Sequence, residues 1–107
     1  MNTTEKQSYI CGGSRSVRWS VHALGRLASM PETVVEIELA LRYASVIEDY
    51  PHTHRYLPDC LVLTFTDDAE PIHCVVAIDE EFEYILIVTV YKPNKQEWND
   101  DWKTRRT

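Results

Sequence analysis

The stretch that decides the fold runs from Cys60 to Tyr91, CLVLTFTDDAEPIHCVVAIDEEFEYILIVTVY. Three runs in it, Cys60–Thr66, Ile72–Asp79 and Tyr84–Tyr91, are rich in β-branched and aromatic residues, which suit a pleated, half-buried surface. Acidic turns at Asp67–Glu70 and Glu80–Glu83 separate them. Linkers this short join neighbouring strands as hairpins, so the three are predicted to form an antiparallel meander. Both faces of the meander are largely apolar, which calls for cover on more than one side.

Upstream, Val46–Tyr50 reads as a further strand, and two helices precede it. Ser20 is an N-cap, with Trp19 and Leu24 at the two positions of a hydrophobic staple. Val21, Leu24, Leu27 and Ala28 then share one arc of the helix, with His22 and Arg26 stacked opposite. Met30-Pro31 ends it, because the residue before a proline is pushed out of the α region. Thr33-Val34-Val35-Glu36 is a capping box that opens the second helix. Its core stripe is Val34, Ile37, Ala40, Leu41 and Ala44. A second stripe, Val35, Leu39 and Tyr43, is expected to be buried as well, the alternative being a docking surface for a partner.

Downstream, Pro93 stops the last strand and Asn94–Trp102 is expected to form a short helix before a basic tail. Residues 1–18, which include Gly12-Gly13, read as a flexible lead. The expectation is therefore one α+β domain over 19–107. It comprises two N-terminal helices, a mainly antiparallel sheet of about four strands, and a short C-terminal helix or tail.

Composition sets the outer bounds. The 107 residues are 44% hydrophobic and 26% charged, ordinary for one globular domain and too apolar for a disordered chain. No apolar run approaches the roughly 18 residues of a membrane helix, and Met1–Tyr9 lacks a signal-peptide core, so a cytoplasmic location is expected. Cys11, Cys60 and Cys74 are odd in number and widely spaced, which favours reduced, structural thiols over a disulfide framework. The net charge of −6 is uneven. Residues 1–30 carry a balance of +3 and residues 103–107 another +3, around an acidic body of −12. An acidic body repels a polyanion, so any nucleic acid would have to be attracted by the basic ends.

Few residues invite chemistry, and the established phosphate-loop, nucleophile-elbow and zinc-protease motifs are missing. His52-Thr53-His54, near Asp59 and Cys60, fits no metal signature, and a solvated polar loop is the better account. His22 and Arg26, one helical turn apart, offer a proton carrier beside a cation, a pair suited to a phosphate or carboxylate. His73 shares its strand face with Val75 and Ala77. If the Asp67–Glu70 turn pairs position 66 with 71, Thr64 lies directly across from it. Tyr91 and Lys92 stand at a strand end, where a phenol and an amine could donate a proton or hold a phosphate. Glu48 is a candidate base. Trp98 and Trp102, spaced i and i+4, read as lids on the core rather than as base-stacking platforms.

From about Ser20 to Arg106 the chain resembles a family of small bacterial proteins known only as a domain of unknown function. The resemblance runs through His22-Ala23-x-x-Arg26, Val46-Ile47-Glu48-Asp49-Tyr50 and Tyr56-x-Pro58-x-Cys60-Leu61. It continues through Pro71-Ile72-His73-x-Val75-Val76 and Thr89-Val90-Tyr91-x-Pro93. The helix–helix–sheet order is in turn similar to that of the RelE, BrnT and MqsR class of messenger-RNA-cleaving toxins. That likeness implies a cofactor-free, metal-independent endoribonuclease held in check by an antitoxin protein. Cleavage needs a base for the 2′-hydroxyl, cations for the phosphate and an acid for the leaving oxygen. The expected catalytic set is His22, Arg26, His73 and Tyr91, with Lys92, Arg105 and Arg106 binding RNA. A non-catalytic interaction module is the competing expectation, its partner held by the Val35/Leu39/Tyr43 stripe or a sheet edge.

Overall fold

The computed structural model describes residues 1–50 and 57–107. Along the chain these form α1 (Thr3–Cys11), β1 (Ser16–Trp19), α2 (Val21–Leu27), α3 (Val34–Ala40), a 3₁₀ turn (Leu41–Tyr43), β2 (Ser45–Tyr50), β3 (Asp59–Phe65), β4 (Pro71–Asp79) and β5 (Tyr84–Tyr91). The strands make one mixed sheet in the order β1-β5-β4-β3-β2. β2 to β5 pair antiparallel in succession, while β1 runs parallel to β5, with Val17 opposite Ile85 and Trp19 opposite Ile87.

This architecture corrects the expectation of two helices and about four antiparallel strands. The described residues hold three short helices and a five-stranded mixed sheet. The difference lies in residues 1–18, read as a lead but folded as α1 and most of β1. Asn2 accepts a hydrogen bond from the Glu5 backbone N–H at 2.8 Å, and Glu5 accepts one from Asn2 at 3.0 Å, a full capping box. Ile10 enters the core, and the buried Lys6 ammonium donates to the Asp49 carboxylate and, at 3.0 Å, to the Asp59 carbonyl. The Arg15 guanidinium donates to the Ile10 carbonyl and so satisfies a backbone acceptor at the end of α1. β1 forms because Val17 and Trp19 pack against the core while Ser16 and Arg18 face outward.

The two predicted caps are in place. Ser20 accepts from the Ala23 N–H at 2.9 Å and donates to the Val88 carbonyl at 2.8 Å, which anchors α2 to β5. Thr33 and Glu36 form the capping box of α3. Ile37 and Leu41 are fully buried, and with Ala23, Leu27 and Ile10 they cover one face of the sheet through Val62, Cys74, Val76 and Ile87. Burying each of the Val, Leu and Ile side chains among them contributes about 1.5–3 kcal/mol. The second stripe is not buried: Val35, Leu39 and Tyr43 are all exposed. The segment after Pro93 is a hairpin of turns instead of a helix, with Trp98 bridged to Arg105 and Asn99 donating to Thr104. No described helix is long and apolar enough to cross a membrane.

The β3–β4 turn is one residue tighter than expected. Thr66 donates to the Glu70 carbonyl, and Ala69 takes a positive φ of 62° to close a three-residue loop. Register therefore slips by one, and His73 faces Leu63 rather than Thr64. Thr64 turns to the helical side, where its hydroxyl donates to the Ala40 carbonyl.

Candidate functional site

Register and strand alternation place three rows of side chains on the sheet face away from the helical core. One row is Ser45, Leu63, His73 and Tyr91, and the next is Glu48, Leu61, Val75 and Thr89. The third holds Tyr50, Asp59, Ala77 and Leu86. α2 lies along the edge of β5 and brings its polar side to this face, where His22 Nε2 and the Thr89 hydroxyl share a hydrogen bond of 3.0 Å.

Tyr91 is the centre of the arrangement. It lines an open cleft with Arg26, Ser29, Met30, Pro31 and Lys92. It also lines an adjoining one, shared with Arg26, Lys92, Asn94 and Trp98. Arg26, Tyr91 and Lys92 are thus brought together, and an exposed guanidinium stands beside a phenol. Burial pushes the Tyr91 phenol above its ordinary pKa, so at neutral pH it keeps its proton.

His73 does not reach this cleft. Its ring is fully buried behind Tyr91, edge-on to Trp98 with centroids 4.4 Å apart. Nε2 lies 2.8 Å from the Trp102 carbonyl oxygen, which can only accept, so Nε2 carries a proton. Burial lowers the imidazole pKa and favours the neutral ring. Nδ1 is then a lone pair, and the Tyr91 hydroxyl donates to it at 3.1 Å.

The basic residues assigned to RNA are already engaged. Lys92 pairs with Glu32 at 3.1 Å. Arg105 grips both oxygens of Glu48 at 2.7 and 3.0 Å while lying over the Trp98 ring. Arg106 donates to the Lys95 carbonyl and pairs with Asp100 at 3.5 Å. Glu48 also accepts from the Tyr50 hydroxyl at 2.7 Å. The hydrogen bond from Arg105 holds its carboxyl below the usual range, which makes it a weak base. Sequence reasoning missed Thr89 and Glu32. Thr89 was legible as the neighbour of Tyr91 on the same face, whereas nothing in the local pattern couples Glu32 to a residue 60 positions on.

The three cysteines are free, with Cys60 and Cys74 deep in the core, where burial raises both thiols to about 12. His52, His54 and Tyr56 lie outside the described residues. Among the described residues no cluster of three or more His, Cys, Asp or Glu side chains could hold a metal ion.

The fold and site define a small α+β domain with one helical layer on a mixed sheet and a polar cluster on the opposite face. Residues 19–92 match the family described as Domain of unknown function (DUF4258), and the chain belongs to that family. No curated protein and no solved structure matches it.

Proposed function

We propose that the chain is a RelE-like RNA endonuclease, the toxin of a toxin–antitoxin pair, that cuts without a metal. The observation that carries this reading is the meeting of Arg26, Tyr91 and Lys92 around one cleft, with His73 behind the phenol and His22 bonded to Thr89, two residues before Tyr91 on β5. On this reading Arg26 offsets the charge that builds on a phosphate during attack. Tyr91 serves as the proton-transfer group: it lines the cleft, and its hydroxyl proton points at the His73 lone pair. As the 2′-hydroxyl attacks phosphorus, its proton passes to the Tyr91 oxygen and the phenolic proton passes to Nδ1. The resulting imidazolium is steadied by the Trp102 carbonyl at Nε2. His73 is a positioning and relay residue that never touches RNA. His22 is the acid for the leaving oxygen.

Expression of the wild type in a bacterial host should arrest growth and fragment RNA, and the Arg26→Ala/Tyr91→Phe double variant should do neither. Normal growth and intact RNA with a folded wild type would remove the reading. A small DNA-binding antitoxin encoded next to it would support it.

A second reading, a non-catalytic interaction module, is favoured by the exposure of Val35, Leu39 and Tyr43 on α3 and the 3₁₀ turn after it, whose other side buries Ile37 and Leu41. Purified protein that is folded, inactive on RNA and recovered with a partner would select it.

A further inference from the structure

We infer that the groove between α3 and the end of β3 docks a cationic, amphipathic helical segment of a partner protein. The groove is lined by Leu39, Ala40, Tyr43 and Phe65, with Glu36, Thr66 and Asp67 around them. None of these residues lines the Arg26/Tyr91 cleft. The inference rests on the surface named in the second reading and is independent of RNA cleavage.

Three observations converge on that occupant. Val35 and Leu39 on α3 and Tyr43 on the 3₁₀ turn after it have 64%, 55% and 86% of their surfaces exposed, and Phe65 stands with Leu39 and Tyr43 in the groove at 48%. The nine residues from Val35 to Tyr43, α-helical and then 3₁₀, span about 13 Å, the reach of two turns of a docked helix with anchors at i, i+3 or i+4, and i+7. The charged residues that line the groove, Glu36 and Asp67, are both acids. Arg42, the cation between Leu39 and Tyr43 and the β2 strand, is turned away toward Gly13.

Charge selects among the occupants. A second copy would set Glu36 and Asp67 against their own counterparts, because a two-fold contact brings the same patch to itself. Like charges set face to face cost affinity. A segment with Leu-type anchors flanked by Lys or Arg fills the same groove and pairs with Asp67 and with the Glu36 oxygen that the Thr33 cap does not use.

The test uses the purified full chain and two synthetic amphipathic helical peptides of about 14 residues, one of Leu and Lys and one of Leu and Glu. The Leu/Lys peptide should bind one to one and shift the amide resonances of Leu39, Tyr43 and Phe65, while the Leu/Glu peptide should not bind. The Leu39→Ser/Tyr43→Ser variant, altered only at exposed positions, should weaken binding at least about tenfold. Asp67→Asn, a turn substitution that leaves the helix untouched, should weaken it less and flatten its salt dependence. Binding that both variants leave unchanged would show attraction to the acidic body at large and overturn the proposal. So would no binding, or a concentration-dependent dimer broken by the Leu39/Tyr43 variant.

Discussion

Tyr91 and His73 are register partners on β5 and β4, their rings meet edge to face at 5.2 Å, and the phenol donates to the imidazole at 3.1 Å. The pair joins the open cleft to the interior, so its two members should respond differently to substitution. Tyr91→Phe removes one hydroxyl and leaves Nδ1 unpaired, at about 1–3 kcal/mol. The fold should survive while RNA cleavage drops by at least about 100-fold. His73→Ala also opens a cavity beneath Trp98 and frees the Trp102 carbonyl, at about 2–5 kcal/mol. Urea unfolding beside a single-turnover RNA assay separates the two. A Tyr91→Phe variant with wild-type cleavage would take the phenol out of the mechanism.

Arg26 is exposed and has no ion partner among the described contacts, so its role should lie in binding and not in stability. Arg26→Gln should leave the unfolding midpoint within about 0.5 kcal/mol of wild type. Cleavage should fall by about 100-fold or more, with Arg26→Lys recovering part of the loss because charge persists without the planar fork. Equal losses in both variants would point to a geometric requirement for guanidinium.

Glu32 and Lys92 form an asymmetric pair. The Glu32 side chain is 7% exposed and its Oε1 has no hydrogen-bond partner among the described residues, whereas Lys92 is 35% exposed. Lys92→Met strands a buried carboxylate and should cost about 3–5 kcal/mol. Glu32→Gln frees an ammonium that can reach water, and should cost less while strengthening the binding of a short oligonucleotide. A thermal melt and a fluorescence-anisotropy titration give the two readings. Weaker oligonucleotide binding in Glu32→Gln would mean that the pair holds the cleft open instead of neutralising it.

Acid should loosen the C-terminal hairpin. Burial holds His73 below its ordinary pKa of 6.5, and the Arg105 hydrogen bond holds Glu48 below its ordinary 4.5. Both groups bind more protons unfolded than folded in those windows, so stability rises with pH there. The His73 contribution is complete above 6.5 and drains as pH falls through the folded value. The Glu48 contribution drains from 4.5 downward. Trp98 and Trp102 emission should shift to the red over the same range, and Glu48→Gln should reproduce part of the shift at neutral pH. A free energy of unfolding that stays flat from about pH 7 to about pH 4 contradicts this account.

The meander was legible because its strands carry a period and its turns carry acids. The β5 bounds, Tyr84–Tyr91, are those expected, and the Ser20 and Thr33 caps open the helices they announce. What escaped had no apolar period to read. α1 buries only Lys6 and Ile10, too few for an apolar stripe, although its Asn2–Glu5 capping box stood in plain view. β1 has four residues, two of them polar, and its partner lies 68 positions away. The site was half legible for a related reason. Arg26 and Tyr91 converge because α2 packs on β5. The burial of His73 depends on where the tail returns, and no local signal encodes that. The three-residue β3–β4 loop shows how one turn residue, Ala69, moves a histidine from one neighbour to another.

The parallel pairing of β1 with β5 has a consequence for synthesis on the ribosome. The first strand to emerge finds its hydrogen-bonding partner only after Ile87 has left the exit tunnel, since Trp19 pairs there. α2 waits with it, because Ser20 is anchored by Ile87 and Val88 and His22 by Thr89. A nascent chain therefore holds its helix-borne histidine and arginine unassembled until Ile87, Val88 and Thr89 have emerged. Distant pairings of this kind also slow folding, so any activity that needs the assembled cleft is delayed until β5 has emerged and paired.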